Sequence, residues 1–229
     1  VSGSAIFIAQ LWGKGDVTNI RRVVGLGGKL ALAAALFFWT LAIFFPQSTL
    51  RLYTEDAAVI TLGSKYLRIF GWSYLFFAIT GVFSTALRST ENVRLPLAVS
   101  TSALGLDILL LYPFVFGFQP LGMQPMGVQG AAYAGLIARV LECFVILIMV
   151  YRKKENPVAA GMRDFLDFDL KFIKAVMKPV LPVIANETLW SLGITTYNAI
   201  YGHIGTTAVA AININGTIDN LAFVVFLGI

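Results

Sequence analysis

Five ionisable side chains stand inside long apolar runs of this 229-residue sequence: Asp107, Arg139, Glu142, Glu187 and Asp219. Such a group at the centre of a bilayer costs about 2.5–3.5 kcal/mol on insertion scales, so each marks a place where a partner or a function offsets that cost. Glu187 is followed by Ser191, Thr195 and Asn198 at i+4, i+8 and i+11, which lines four polar groups along one helix face. A carboxylate flanked by hydroxyl and amide oxygens can attract an organic cation, bind sodium, or carry a proton if desolvation raises its pKa. The plainer reading is a polar contact with another helix. Asp107 shares its face with Ser100 and Ala103, and is either a coupling acid or a hydrogen-bond partner for a neighbouring helix. Asp219 follows Asn215 by one turn, with Asn213, Thr217 and Asn220 as a second polar stripe, a density of amides that implies a wet face. Arg139 and Glu142, at i and i+3, can neutralise each other as a structural ion pair. His203 falls in a loop and is assigned no role.

The elements that must position these groups follow from composition. The sequence is 58% hydrophobic and only 13% charged, with a mean hydropathy of +0.79. A soluble domain carries about 25% charged residues. Uncharged or nearly uncharged runs of about 20 residues recur, the length a helix needs to cross the hydrocarbon layer. The expected fold class is therefore an all-α integral membrane protein, a polytopic helical bundle. The net charge of +5 reports orientation and not nucleic-acid binding, because the lysines and arginines cluster in short loops between apolar runs. Cys143 is the only cysteine, which excludes an internal disulfide and any cysteine-based metal motif.

Along the chain, residues 1–12 read as the tail of one span, and Gly13, Lys14, Gly15 and Asp16 as a turn before Arg21 and Arg22. Further spans are expected over 25–45, through 69–87, and over 95–118, 127–150, 179–201 and 206–229, giving six full crossings and one partial one. Thr54, Glu55 and Asp56 supply an N-cap and acidic first turn for the helix that enters the third of these. Residues 152–178 form the longest hydrophilic segment, a linker in which Phe165, Leu166, Phe168, Phe172, Ile173 and Val176 suit an interfacial amphipathic helix capped by Asp169. Loops 13–22, 88–94 and 152–178 share one side and hold most of the basic residues, which places them in the cytoplasm. Both ends of the sequence lie within apolar runs, and it reads as an excised piece.

Several short motifs, in this order and spacing, resemble the MATE (multidrug and toxic compound extrusion) family. They are Ile8-Ala9-Gln10 with the Gly13–Asp16 turn, Lys65-Tyr66-Leu67-Arg68-Ile69, Phe116-Gly117, Gly127-Val128-Gln129-Gly130-Ala131-Ala132-Tyr133-Ala134, Pro182, and Gly205-Thr206-Thr207-Ala208-Val209-Ala210-Ala211. The resemblance implies part of a two-lobe, twelve-helix transporter, from the end of helix 2 to most of helix 8. Residues 1–151 would be most of the N-terminal lobe, 152–178 the inter-lobe linker, and 179–229 the start of the C-terminal lobe. It also implies a cell-membrane antiporter, monomeric when full length, that exports cationic amphipathic compounds in exchange for Na+ or H+. Its partners would be membrane lipid and cationic small molecules, with no nucleic acid and no resident cofactor beyond the coupling ion. Relatives carry an acid on the helix of Glu187, about one turn later. Many also carry an Asn followed four residues on by an Asp as an ion site; here Asp107 takes the first of those positions and Leu111 the second, so that pair is altered.

Two other functions compete. A lipid-linked saccharide flippase of the same wider superfamily would want a basic cavity for a pyrophosphate, for which Arg139 alone speaks. A structural membrane subunit would show no ion-dependent transport. A membrane enzyme is disfavoured, since no HExxH, GxSxG or glycine-rich phosphate loop is present.

Overall fold

The computed structural model describes residues 2–118, 122–152, 156–159, 161 and 169–227. Those residues are almost wholly helical: α1 (Ser2–Gly13), α2 (Val17–Phe44), α3 (Pro46–Arg51), α4 (Ala57–Phe70), α5 (Ser73–Ser89), α6 (Arg94–Phe116), α7 (Val128–Arg152), α8 (Leu170–Ile204) and α9 (Thr206–Leu227). Among them, α2, α6 and α7 are long and apolar enough to cross a membrane alone, and α4 with α5 makes a fourth crossing bent by 52°. At 35 and 22 residues, α8 and α9 also have the length to span.

Helix starts follow local chemistry. Asp16 caps α2: the Asn19 backbone N–H donates to its carboxylate at 3.1 Å and the Asn19 side-chain amide at 2.6 Å. Asp56 caps α4 by accepting from the N–H groups of Ala58 and Val59, and Asp169 caps α8 by accepting from Lys171. Arg21 and Arg22, expected in a loop, lie instead in the second turn of α2, because the cap at Asp16 starts the helix early.

Three boundaries differ from the sequence reading. The helix expected to run unbroken from residue 57 to 87 breaks at Gly71 and Trp72. A Cβ on Gly71 would lie 2.9 Å from the Ala42 Cβ, so glycine lets α2 approach the bend, and Trp72 packs edge-on to Trp39 of α2 at 5.0 Å. Between the spans expected over 25–45 and through 69–87, where residues 47–53 read as a short surface connection, Pro46–Arg51 form the short helix α3, with Pro46 at its start. The division expected between residues 178 and 179 is not a helix boundary, since α8 continues through Pro179 and Pro182. Each proline frees the carbonyl four residues before it, and Ala175 and Lys178 are both exposed, where those carbonyls are open to solvent at the polar end of the helix. Phe172, Ile173 and Val176 do pack inward from α8, whereas Phe165, Leu166 and Phe168 lie outside the described residues.

The core sits where α1, α2, α5 and α7 converge, around Ile8, Ile20, Val24, Leu87, Ile146 and Val150, all essentially inaccessible. α6 and α7 form a long antiparallel pair. At its outer end Gly130 lies against the Phe114 carbonyl so closely that no side chain fits. Gly130→Val should therefore separate the pair and lower the thermal unfolding midpoint in detergent by several degrees; an unchanged midpoint would show that the approach is dispensable.

The Asp16 cap gives a second expectation. The Asn19 side-chain amide, then its backbone N–H, hold the Asp16 carboxyl below its ordinary value of 3.8. A pKa depressed on folding contributes stability that is present above 3.8 and lost as pH falls through the folded value. Amide exchange at Asn19, corrected for its intrinsic pH dependence, should accelerate on acidification below about pH 4. Asp16→Asn should remove that pH dependence.

Candidate functional site

The α6–α7 seam carries the polar chemistry of the first seven helices. Glu142 is only 4% exposed in the middle of α7, and both carboxylate oxygens are engaged. Ser100 of α6 donates its hydroxyl to Oε1 at 2.8 Å, and Arg139 donates from Nη1 to Oε2 at 2.6 Å. The Arg139 guanidinium also lies over the Phe77 ring of α5, 5.7 Å from its centroid. The ion pair drawn from the i, i+3 spacing is present. Ser100, grouped from spacing with Asp107, serves Glu142 instead.

Seven residues along each helix in the same register, Asp107 of α6 meets Gly135 of α7. Its Oδ1 lies 3.9 Å from where a Gly135 Cβ would stand, and the Phe70 ring of α4 closes over the same glycine. Asp107 is half-buried, and among the described residues no hydrogen bond or ion pair reaches it. Tyr66, within electrostatic reach of Asp107, stacks on Phe70 at 5.2 Å, and Phe70 meets Tyr74 edge-on at 6.2 Å. This aromatic ladder was missed from sequence, although its i, i+4, i+8 spacing would have revealed it.

The second group of candidates stands apart. Glu187, Ser191, Thr195 and Asn198 are all exposed on α8. Glu187 follows Val176, Val180 and Ile184 at i+11, i+7 and i+3, so it continues the face by which α8 packs on the rest of the bundle. Val180 and Ile184 border an apolar cavity of about 730 Å³ between α1, α2, α5 and α8, whose polar side chains among the described residues are Ser4 and Tyr74. Glu187 lies one turn beyond it. Asn198 borders a smaller cavity of about 340 Å³ with Tyr53, Thr54, Tyr201 and Asn213. On α9, Asn215 donates its side-chain amide to the exposed Asp219 at 3.0 Å, as their one-turn spacing suggested. Among the described residues no contact joins Glu187 or Asp219 to Asp107, and no group of three or more acidic, histidine or cysteine side chains could hold a metal.

These features define a polytopic helical membrane protein with acidic groups at membrane depth. Residues 1–112 match the family model described as MatE. Relatives include the probable multidrug resistance protein NorM of Agrobacterium fabrum, 29% identical over 97% of this chain and 47% of its own length. Another is the probable multidrug resistance protein YoeA of Bacillus subtilis, 26% identical over 92% of this chain and 45% of its own. The fold matches a crystal structure of MATE in the bent conformation with a TM-score of 0.78 and 22% identity, covering 99% of this chain and 49% of that one. The fold is that of MATE proteins, and the sequence is similar to that family's. The chain spans about half the length of the curated relatives it matches.

Glu142→Ala would leave the Arg139 guanidinium and the Ser100 hydroxyl unmatched at membrane depth, at a cost of about 3–5 kcal/mol. Denaturant unfolding in detergent should show that loss for Glu142→Ala, and a smaller one for Glu142→Gln, whose amide oxygen can accept from Arg139 while its NH2 donates to the Ser100 oxygen. Equal, negligible losses would mean that the pair does not hold α6 to α7.

Proposed function

We propose that the full-length protein is a secondary antiporter that exports cationic amphipathic compounds across the cell membrane in exchange for Na+ or H+. The observation that carries this reading is Asp107: an acid in a membrane-depth seam, half-buried, with no cation beside it among the described residues. Glu142, by contrast, already has its counter-charge. An unmatched carboxylate is costly there unless a mobile cation neutralises it for part of the cycle, and sodium, a proton and a substrate amine all qualify. Glu187 and Asp219, with Ser191, Thr195, Asn198 and Asn215, supply a second set of acceptors on α8 and α9.

In this scheme residues 1–151 belong to one lobe and 179–229 to the other. Rocking of the two lobes would expose the acids to each side in turn, as in transporters built from repeats. The basic turns within 13–22, 88–94 and 152–178 face the cytoplasm by the positive-inside rule. No catalytic residue is assigned, and the protein acts as a monomer in lipid.

The test is efflux of a fluorescent cationic dye from vesicles holding the full-length protein, under imposed sodium or proton gradients. Wild type should export dye with one of the two gradients. Asp107→Asn and Glu187→Gln, at equal membrane levels, should each lower the gradient-driven rate by about tenfold or more, the scale on which a lost charge contact acts. Gradient-independent behaviour in wild type would sink the antiport reading and favour a flippase.

A further inference from the structure

We infer that the outward face of α8 is a binding surface for an anionic phospholipid, whose headgroup meets Lys171, Lys174 and Lys178 and whose acyl chain runs along Leu181, Ala185 and Leu189. The inference needs only that α8 enters the membrane, and it is independent of the antiport reading. The six residues fall at i, i+3, i+7, i+10, i+14 and i+18, so they form one unbroken stripe along the helix. All six are exposed, Leu181 by 59% and Leu189 by 69%.

The stripe lies opposite the side of α8 that is already occupied. Phe172, Ile173, Val176 and Val180 turn into the bundle, and Glu187 continues that inner side. With its apolar side spent on protein, the start of α8 presents its lysines outward. Between residues 170 and 186 the helix carries no aspartate or glutamate, and Asp169 is engaged as the cap, accepting from the Lys171 backbone N–H. Among the described residues no hydrogen bond or ion pair reaches the three ammonium groups. The neighbouring arginines differ. Arg21 donates to the Asn156 carbonyl at 3.4 Å, and Arg22 lies over the Phe172 ring, 4.3 Å from its centroid.

The order of residues along the stripe identifies the occupant. Its lysines are confined to the N-terminal end, and from Leu181 to Leu189 it is apolar. Lys178 and Leu189 are about 16 Å apart along the axis, close to half of a hydrocarbon layer about 30 Å thick. A soluble anion would use the lysines and leave the leucines against nothing. An acidic protein could not follow the stripe into hydrocarbon. A phospholipid with a net negative headgroup matches both ends at once, because anionic headgroups attract basic residues at the surface while lysine stems lie along apolar groups below it.

The test uses the full-length protein in vesicles of phosphatidylcholine, alone or mixed with phosphatidylglycerol. A fluorophore on Ala185→Cys, with Cys143 buried, reports adjacent lipid through quenching by nitroxide-labelled phosphatidylglycerol or nitroxide-labelled phosphatidylcholine. The anionic lipid should quench at a concentration lower by about fivefold or more, the scale on which one basic residue acts at an anionic surface. Lys171→Gln/Lys174→Gln/Lys178→Gln should bring the two lipids to within about twofold of each other. Lys14→Gln/Arg88→Gln/Arg94→Gln removes three charges from exposed positions off α8 and should keep the preference. If the lysine triple variant does not fold, Lys174→Gln alone should lower the preference by about twofold or more while Lys174→Arg retains it. The inference is overturned if neither lipid quenches, because the rest of the full-length chain then covers the stripe. It is equally overturned if both triple variants lose the preference alike, or if inorganic phosphate at matched ionic strength abolishes it and so assigns the lysines to free anions.

Discussion

The structure depends first on the burial of one carboxylate. Glu142 sits in the middle of α7 with its charge matched by Arg139 on the same helix and its second oxygen bound by Ser100 across the seam. An intrahelical pair alone would leave α7 free to slide along α6. The Ser100 hydroxyl fixes the register, and in that register Asp107 arrives opposite Gly135. Sliding by one turn would deprive Glu142 of the Ser100 hydroxyl at membrane depth, where an unmet polar group costs several kcal/mol, of order 2–7. The matched acid thus positions the unmatched one.

The bent α4–α5 pair completes that placement. Bent by 52°, it holds Phe70 over Gly135 and carries Phe77 to Arg139 and Phe83 to Tyr151, all on α7. The bend at Gly71 serves both ends. It is secured from the other side by Trp72 against Trp39 and by the near contact of Gly71 with Ala42, so α2 sets the angle at which α4 reaches the seam. Replacing Gly71 would act at a distance, by moving the aromatic wall of the Asp107 site.

What the sequence made legible was local or periodic. Apolar runs over α2, α6 and α7 announced themselves by length alone, and the cap at Asp169 followed from a short acidic side chain ahead of a helical pattern. At α4 the cap falls on Asp56, the last of the three residues expected to supply a cap and an acidic first turn, so no acid stands in that turn. The Arg139–Glu142 and Asn215–Asp219 pairs were legible because both partners lie within one turn. The contact of Ser100 with Glu142 was not, since 42 residues separate them and spacing equally allowed Ser100 to side with Asp107. The break at Gly71 was hidden because a glycine in a span reads as close packing, which it also provides here. The continuity of α8 was hidden because proline ordinarily ends a helix; here the freed carbonyls belong to exposed residues, so the interruption costs little.

The polar faces of α8 and α9 carry the last step. Lipid cannot satisfy Glu187, Ser191, Thr195 and Asn198 along one side of a helix, nor Asn215 and Asp219 along another. Charged and amide groups at that depth therefore face protein or water. The stripe of Glu187 continues the face that packs Val176 and Val180 against the bundle, so the same side of α8 is first apolar and closed, then polar and open. A helix built that way is anchored at one end and presents chemistry at the other.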